Sequence, residues 1–165
     1  MLKISIMELI IRGIPEGLLV MWACCILSKT KIQFHRYLLS TIILVIGTYV
    51  VRNLPISLGI NTLLILGLII ITNVRINKIS VIKSIQVSVI VIIIQFTSEV
   101  INVFIIKYIF KADLIQVFSN VYSKTLYGIP SLVLFVFFTI ILNKFLNKKN
   151  VVDKNNSANY SNIIK

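Results

Sequence analysis

Apolar and polar positions alternate along this chain in blocks, not at the short periods of a soluble fold. Five apolar runs, at about 5–27, 37–54, 55–74, 84–106 and 125–146, are separated by short segments carrying Lys and Arg. A bilayer-crossing helix needs about 20 mostly apolar residues. The run 84–106, bracketed by Lys83 and Lys107, contains a single charge, Glu99. The third run is charge-free, with Pro55 in its first turn, where a missing N–H does no harm. The second is the short one: only 37–51 lies between Arg36 and Arg52, so a full crossing needs Arg52 to snorkel to the interface. The pattern predicts an all-α, polytopic transmembrane helical bundle of about five spans in one domain, residues 1–146. Residues 147–165 are polar and of low complexity, and are expected to form a disordered tail.

Charge placement adds an orientation. With five spans, segments 28–36, 74–83 and 144–165 share one side and carry eleven Lys/Arg, against five on the other. The positive-inside rule then places the N-terminus outside and the C-terminus in the cytoplasm. Tyr37, Tyr49, Tyr108, Tyr122 and Tyr127 fall near helix ends, as amphipathic rings favour the headgroup level. Composition agrees: 58% of residues are hydrophobic and 13% charged, where soluble domains carry about 25% charge. The net charge of +12 is spread between apolar runs instead of forming one basic stripe, so nucleic acid is not expected and anionic lipid is the better partner. Glu8, Arg12 and Glu16 interrupt the first run and Met21-Trp22-Ala23-Cys24 makes a poor cleavage site, so this helix is expected to be retained.

Ionisable groups inside the bilayer are costly and are the first candidates for function. Arg12 and Glu16 are four apart and share a helix face, with Pro15 between them disturbing the backbone. Gly13 and Gly17 have the small-xxx-small spacing that favours close helix contact. On the fourth span Ser88, Gln95, Glu99 and Asn102 recur at helical intervals and line one face. Counted from the outer ends of their spans, Arg12 and Glu99 lie at equal depth, about 10 Å in. They can therefore pair, with Arg52 closing the cluster from above. The candidate site is the intramembrane polar cluster Arg12, Glu16, Arg52, Gln95, Glu99 and Asn102. It reads equally as interhelical glue, the common role of such groups.

Cys24, Cys25 and His35 invite a thiol-enzyme reading, since a Cys nucleophile needs an adjacent base. Buried cysteines, however, mostly act as small hydrophobes. Metal-ligand spacings and glycine-rich phosphate loops are missing from the sequence, so no metal or cofactor is expected. The segments Glu8-Leu9-Ile10-Ile11-Arg12-Gly13-Ile14-Pro15-Glu16, Tyr49-Val50-Val51-Arg52-Asn53-Leu54-Pro55 and Lys124-Thr125-Leu126-Tyr127-Gly128-Ile129-Pro130-Ser131 resemble those of a group of small multi-pass membrane proteins of low-GC Gram-positive bacteria. The resemblance spans the chain to about residue 145 and implies a bacterial cell membrane. The helix layout is also similar to the membrane sensor halves of peptide-responsive histidine kinases, without a kinase domain. Neither resemblance supplies an activity. Three classes of function stay open: a non-enzymatic sensor-like or accessory subunit with a membrane-protein partner or self-association, a small transporter or transporter substrate-binding subunit, and an intramembrane thiol enzyme.

Overall fold

The computed structural model describes residues 9–163 other than 56 and 110–120, and side chains within them other than those of 58, 121–124 and 149–163. Among the described residues the chain is all helix, with no strand. A π-helical turn, Leu9–Gly13, leads into α1 (Ile14–Leu27), followed by α2 (Phe34–Asn53), α3 (Leu58–Arg75), α4 (Val81–Tyr108) and α5 (Val121–Ile163). Pro15 accounts for the first turn. It has no N–H for the carbonyl of residue 11 and its ring crowds that carbonyl, so the backbone widens into the π form.

Among the described residues four helices are long and apolar enough to cross a membrane: Leu9–Leu27, Phe34–Asn53, Val81–Tyr108 and Thr125–Lys148. The short second run is therefore not a short helix. It extends through Arg36 and Arg52 to 20 residues, because neither arginine interrupts helical hydrogen bonding. The short apolar helix is instead the third, Gly59–Arg75. Pro55 lies in the bend before it, and not in its first turn, because a residue preceding proline avoids helical geometry. Leu54 is accordingly extended, at φ −70°, ψ 142°. α5 is drawn as one helix to Ile163. No Gly or Pro stands between Ser131 and Lys165, so nothing in the sequence stops a helix already nucleated in the apolar run.

The helices alternate in direction. One end of the bundle gathers the α1–α2 and α3–α4 loops around a common cavity. The other gathers Arg12, the end of α2, the second half of α4 and the start of α5. Central α1 packs against α2, α4 and α5 and contributes Val20, Met21, Ala23, Cys24 and Leu27 to the core, with Leu44, Ile69, Val91 and Phe135 opposite. Polarity is inverted relative to a soluble protein. Ser40, Ser84, Ser88, Ser98, Ser131 and Thr139 are buried, while Ile42, Ile46, Ile82, Ile93, Val133 and Phe137 face outward. A soluble monomer rarely shows apolar patches beyond a few hundred Å², whereas a lipid-facing surface requires them. Several buried hydroxyls bond to carbonyls of their own helix, as Ser98 does to Ile94 and Thr139 to Phe135, which satisfies them without a partner across the bundle.

Of the two spaced glycines, only Gly17 serves a helix contact. A Cβ there would stand 2.5 Å from Val45 Cγ2 on α2, whereas one at Gly13 meets only Leu9 of its own turn. Valine in a helix has one favoured rotamer, so Val45 yields little. Gly17→Ala is expected to cost about 1–3 kcal/mol by overpacking, read as a lower unfolding midpoint in detergent. Gly67→Ala, with open space around its Cβ, is the control and is expected to be neutral or slightly stabilising.

Candidate functional site

Five of the six candidate residues converge where α1, α2 and α4 meet. Arg12, in the π-turn, donates from Nη2 to Glu99 Oε1 at 2.8 Å. Its Nε stands 3.7 Å from Glu16 Oε2, one turn along. Arg52, in the last turn of α2, approaches Glu16 Oε1 at 3.7 Å. Gln95 Nε2 donates to Glu16 Oε1 at 3.0 Å and reaches Glu99 Oε1 at 3.5 Å. One amide thus bridges two carboxylates, and one guanidinium spans the same two. The cluster contains two positive and two negative side chains, so it closes electrically.

It does not close in hydrogen-bond terms. Arg12 Nε and Gln95 Oε1 are buried without a hydrogen-bond partner among the described residues. A buried polar atom left unsatisfied costs about 1–3 kcal/mol, and two of them adjoin one ion pair here. The cluster is also not sealed. The side chains of Arg12 and Glu16 are 17% and 15% exposed, but Glu99 and Arg52 retain 34% and 36%.

Asn102 stands apart from this network. Its Nδ2 donates to the Tyr127 carbonyl at 2.8 Å, tying α4 to α5 in the turn where Pro130 brings no N–H, and its Oδ1 is buried without a partner. A face shared along α4 is not a shared partner, since neighbouring helices reach different heights of that face. Ser88, further down the stripe, is fully buried with its Oγ unpartnered.

Gly128 belongs to the site, although nothing about a lone glycine marked it. A Cβ there would lie 3.2 Å from both Cδ and Nε of Arg12, so the bare backbone of α5 forms the seat of the guanidinium. The only sequence signal was the recurrence of Gly-Ile-Pro at 13–15 and 128–130.

Cys24 and Cys25 are buried, Cys24 within the core cluster, whereas His35 is exposed in the first turn of α2. The thiol–imidazole contact that a thiol enzyme requires is not made among the described residues. Asp113 lies outside the described residues, and the Tyr122 side chain is likewise not described.

No protein-family model, curated protein or solved structure matches this chain.

Proposed function

We propose that this chain is a non-enzymatic integral membrane subunit, sensor-like or accessory, whose outer-half polar cluster receives a small polar ligand or a polar group of a partner. In this reading all five helices cross the bilayer, with the N-terminus outside and the C-terminus in the cytoplasm. One observation carries it: among the described residues Arg12 Nε and Gln95 Oε1 have no hydrogen-bond partner, in an ion-pair network whose Glu99 and Arg52 remain a third open. A cluster serving packing alone gains nothing from buried atoms without partners. A donor and an acceptor without hydrogen bonds in one cluster suit a group that both gives and accepts a hydrogen bond.

The membrane arrangement is tested by cysteine labelling in a Cys24→Ala/Cys25→Ala background. Lys29 and Ser80 are exposed at one end of the bundle, and Ser57 at the other. Cysteines at 29 and 80 are expected to react only from the cytoplasm, and one at 57 only from outside. Labelling of 57 and 80 from the same side refutes a full crossing by α3. The binding role is tested by gentle extraction of Arg12→Gln/Glu99→Gln from native membranes. The expected result is a folded, inserted protein that keeps its lipid and loses a non-lipid molecule or partner retained by wild type. Unchanged retention leaves the cluster as packing only.

A further inference from the structure

The opposite end of the bundle holds a second site with different chemistry. A cavity of about 200 Å³ lies between the α1–α2 and α3–α4 loops, lined by Cys25, Thr30, Gln33, Tyr37 and Asn77 together with three cations, Lys31, Arg36 and Lys78. Among the described side chains the only carboxylates are Glu16 and Glu99, and both are engaged in the network at the other end of the bundle. The three cations of the cavity therefore make no ion pair with a described side chain. About 13 residues of helix separate Arg12 from Cys25, roughly 20 Å, so the two sites are distinct.

The backbone around the cavity carries a second, independent signal. Lys29 and Lys78 have φ of 55°, the left-handed region that follows many helices and usually takes Gly. At the end of α1, Lys29 N–H donates to the Ile26 carbonyl and Thr30 N–H to the Cys25 carbonyl, a Schellman geometry with lysine at the glycine position. Lys78 repeats the conformation after α3. A non-glycine residue there costs about 1–2 kcal/mol. Of the two, Lys78 lines the cavity, so a lysine held in the left-handed conformation at that cost places positive charge there, where a glycine would have served the turn better.

We infer that this cavity binds the phosphate headgroup of an anionic phospholipid. Lys31, Arg36 and Lys78 supply the positive charge, and Arg36 supplies a planar fork that suits phosphate oxygens. The cavity is smaller than the 300–1,000 Å³ typical of small-molecule sites, and it opens at the end of apolar helices whose outward faces accept acyl chains. A lipid satisfies both surfaces at once. A soluble phosphate ester satisfies only the first.

The test uses the full chain exchanged from phosphatidylglycerol-containing membranes into detergent, with native mass spectrometry of retained lipid. Wild type is expected to retain about one phosphatidylglycerol per chain and no phosphatidylcholine. Lys31 and Lys78 are exposed, so Lys31→Gln/Lys78→Gln leaves the core intact, and retention is expected to fall at least roughly tenfold, consistent with the affinity carried by each basic residue at a membrane surface. Lys83→Gln/Lys144→Gln removes the same charge from exposed positions away from the cavity and is expected to retain the lipid. Equal loss in both pairs, or equal retention of phosphatidylcholine, overturns the site. Displacement of the lipid by glycerol phosphate at comparable concentration overturns the lipid as the ligand. Arg12→Gln/Glu99→Gln is expected to keep its phosphatidylglycerol, which separates failure here from failure of the outer cluster.

Discussion

Glu99→Gln is expected to destabilise the protein by about 2–4 kcal/mol, read as a lower thermal unfolding midpoint in detergent. Removing one partner of a buried ion pair typically costs about 3–5 kcal/mol, because the other charge is left behind. Here the stranded group is Arg12, whose closest acceptor is Glu99 Oε1 at 2.8 Å and whose remaining one, Glu16, lies at 3.7 Å. Two features hold the cost below the full value. Glu99 keeps a third of its side-chain surface open, and an arginine near a helix end reaches water by snorkelling. Adding Arg12→Gln is expected to recover much of the loss, since the uncompensated charge disappears with it. The four proteins form a double-mutant cycle, and an interaction energy of about 1 kcal/mol or more marks direct coupling. Additive effects defeat the pairing and, with it, the binding role built on it.

How far the sequence alone reaches differs between the fold and the site. Helical class and membrane character follow from hydrophobic run length, which needs no tertiary information. The meeting of Arg12 with Glu99 was also legible, because antiparallel helices of known rise convert residue counts into depth. Helix ends were not. The apolar run reads 37–54, whereas the helix is Phe34–Asn53 with Arg36 inside its start, since a long cationic side chain extends away from the backbone and breaks no helical bond. Pro55 was placed in a helix because position N1 tolerates proline, but the chain uses it to turn.

The membership of the site shows the same limit. Gln95 and Asn102 lie on one face of α4, and a face is all that periodicity reports. Whether each residue meets α1 or α5 depends on how high its neighbours stand, and Asn102 turns out to serve the Tyr127 carbonyl. The cavity at the opposite end of the bundle is invisible for a related reason. Lys31 and Lys78 come from two loops and Arg36 from the first turn of α2, more than forty positions apart at their extremes, and in the sequence they appear only as the charge bias that orients the spans. One set of cations thus supports two statements: a topology, from their number, and a site, from their convergence.

Gly128→Leu is the second substitution with a large expected effect, because it acts on the ion-pair network without removing any of its charges. The guanidinium of Arg12 rests on the α5 backbone at this glycine, with Cδ and Nε 3.2 Å and Cζ 3.3 Å from where a Cβ would stand. An alanine asks Arg12 to give by a few tenths of an ångström and is expected to cost about 1 kcal/mol. A leucine occupies the space of the guanidinium itself. Overpacking of this kind typically costs about 1–3 kcal/mol, and displacement of Arg12 from Glu99 adds part of the cost of a broken buried pair, giving roughly 2–4 kcal/mol in detergent unfolding. The decisive comparison uses Arg12→Ala as the background. With the arginine side chain gone, the seat is empty, and Gly128→Leu is expected to cost less than about 1 kcal/mol, a strong departure from additivity. Equal costs with and without Arg12 would mean that Gly128 answers to some other neighbour, and α5 would then have no part in holding the cluster.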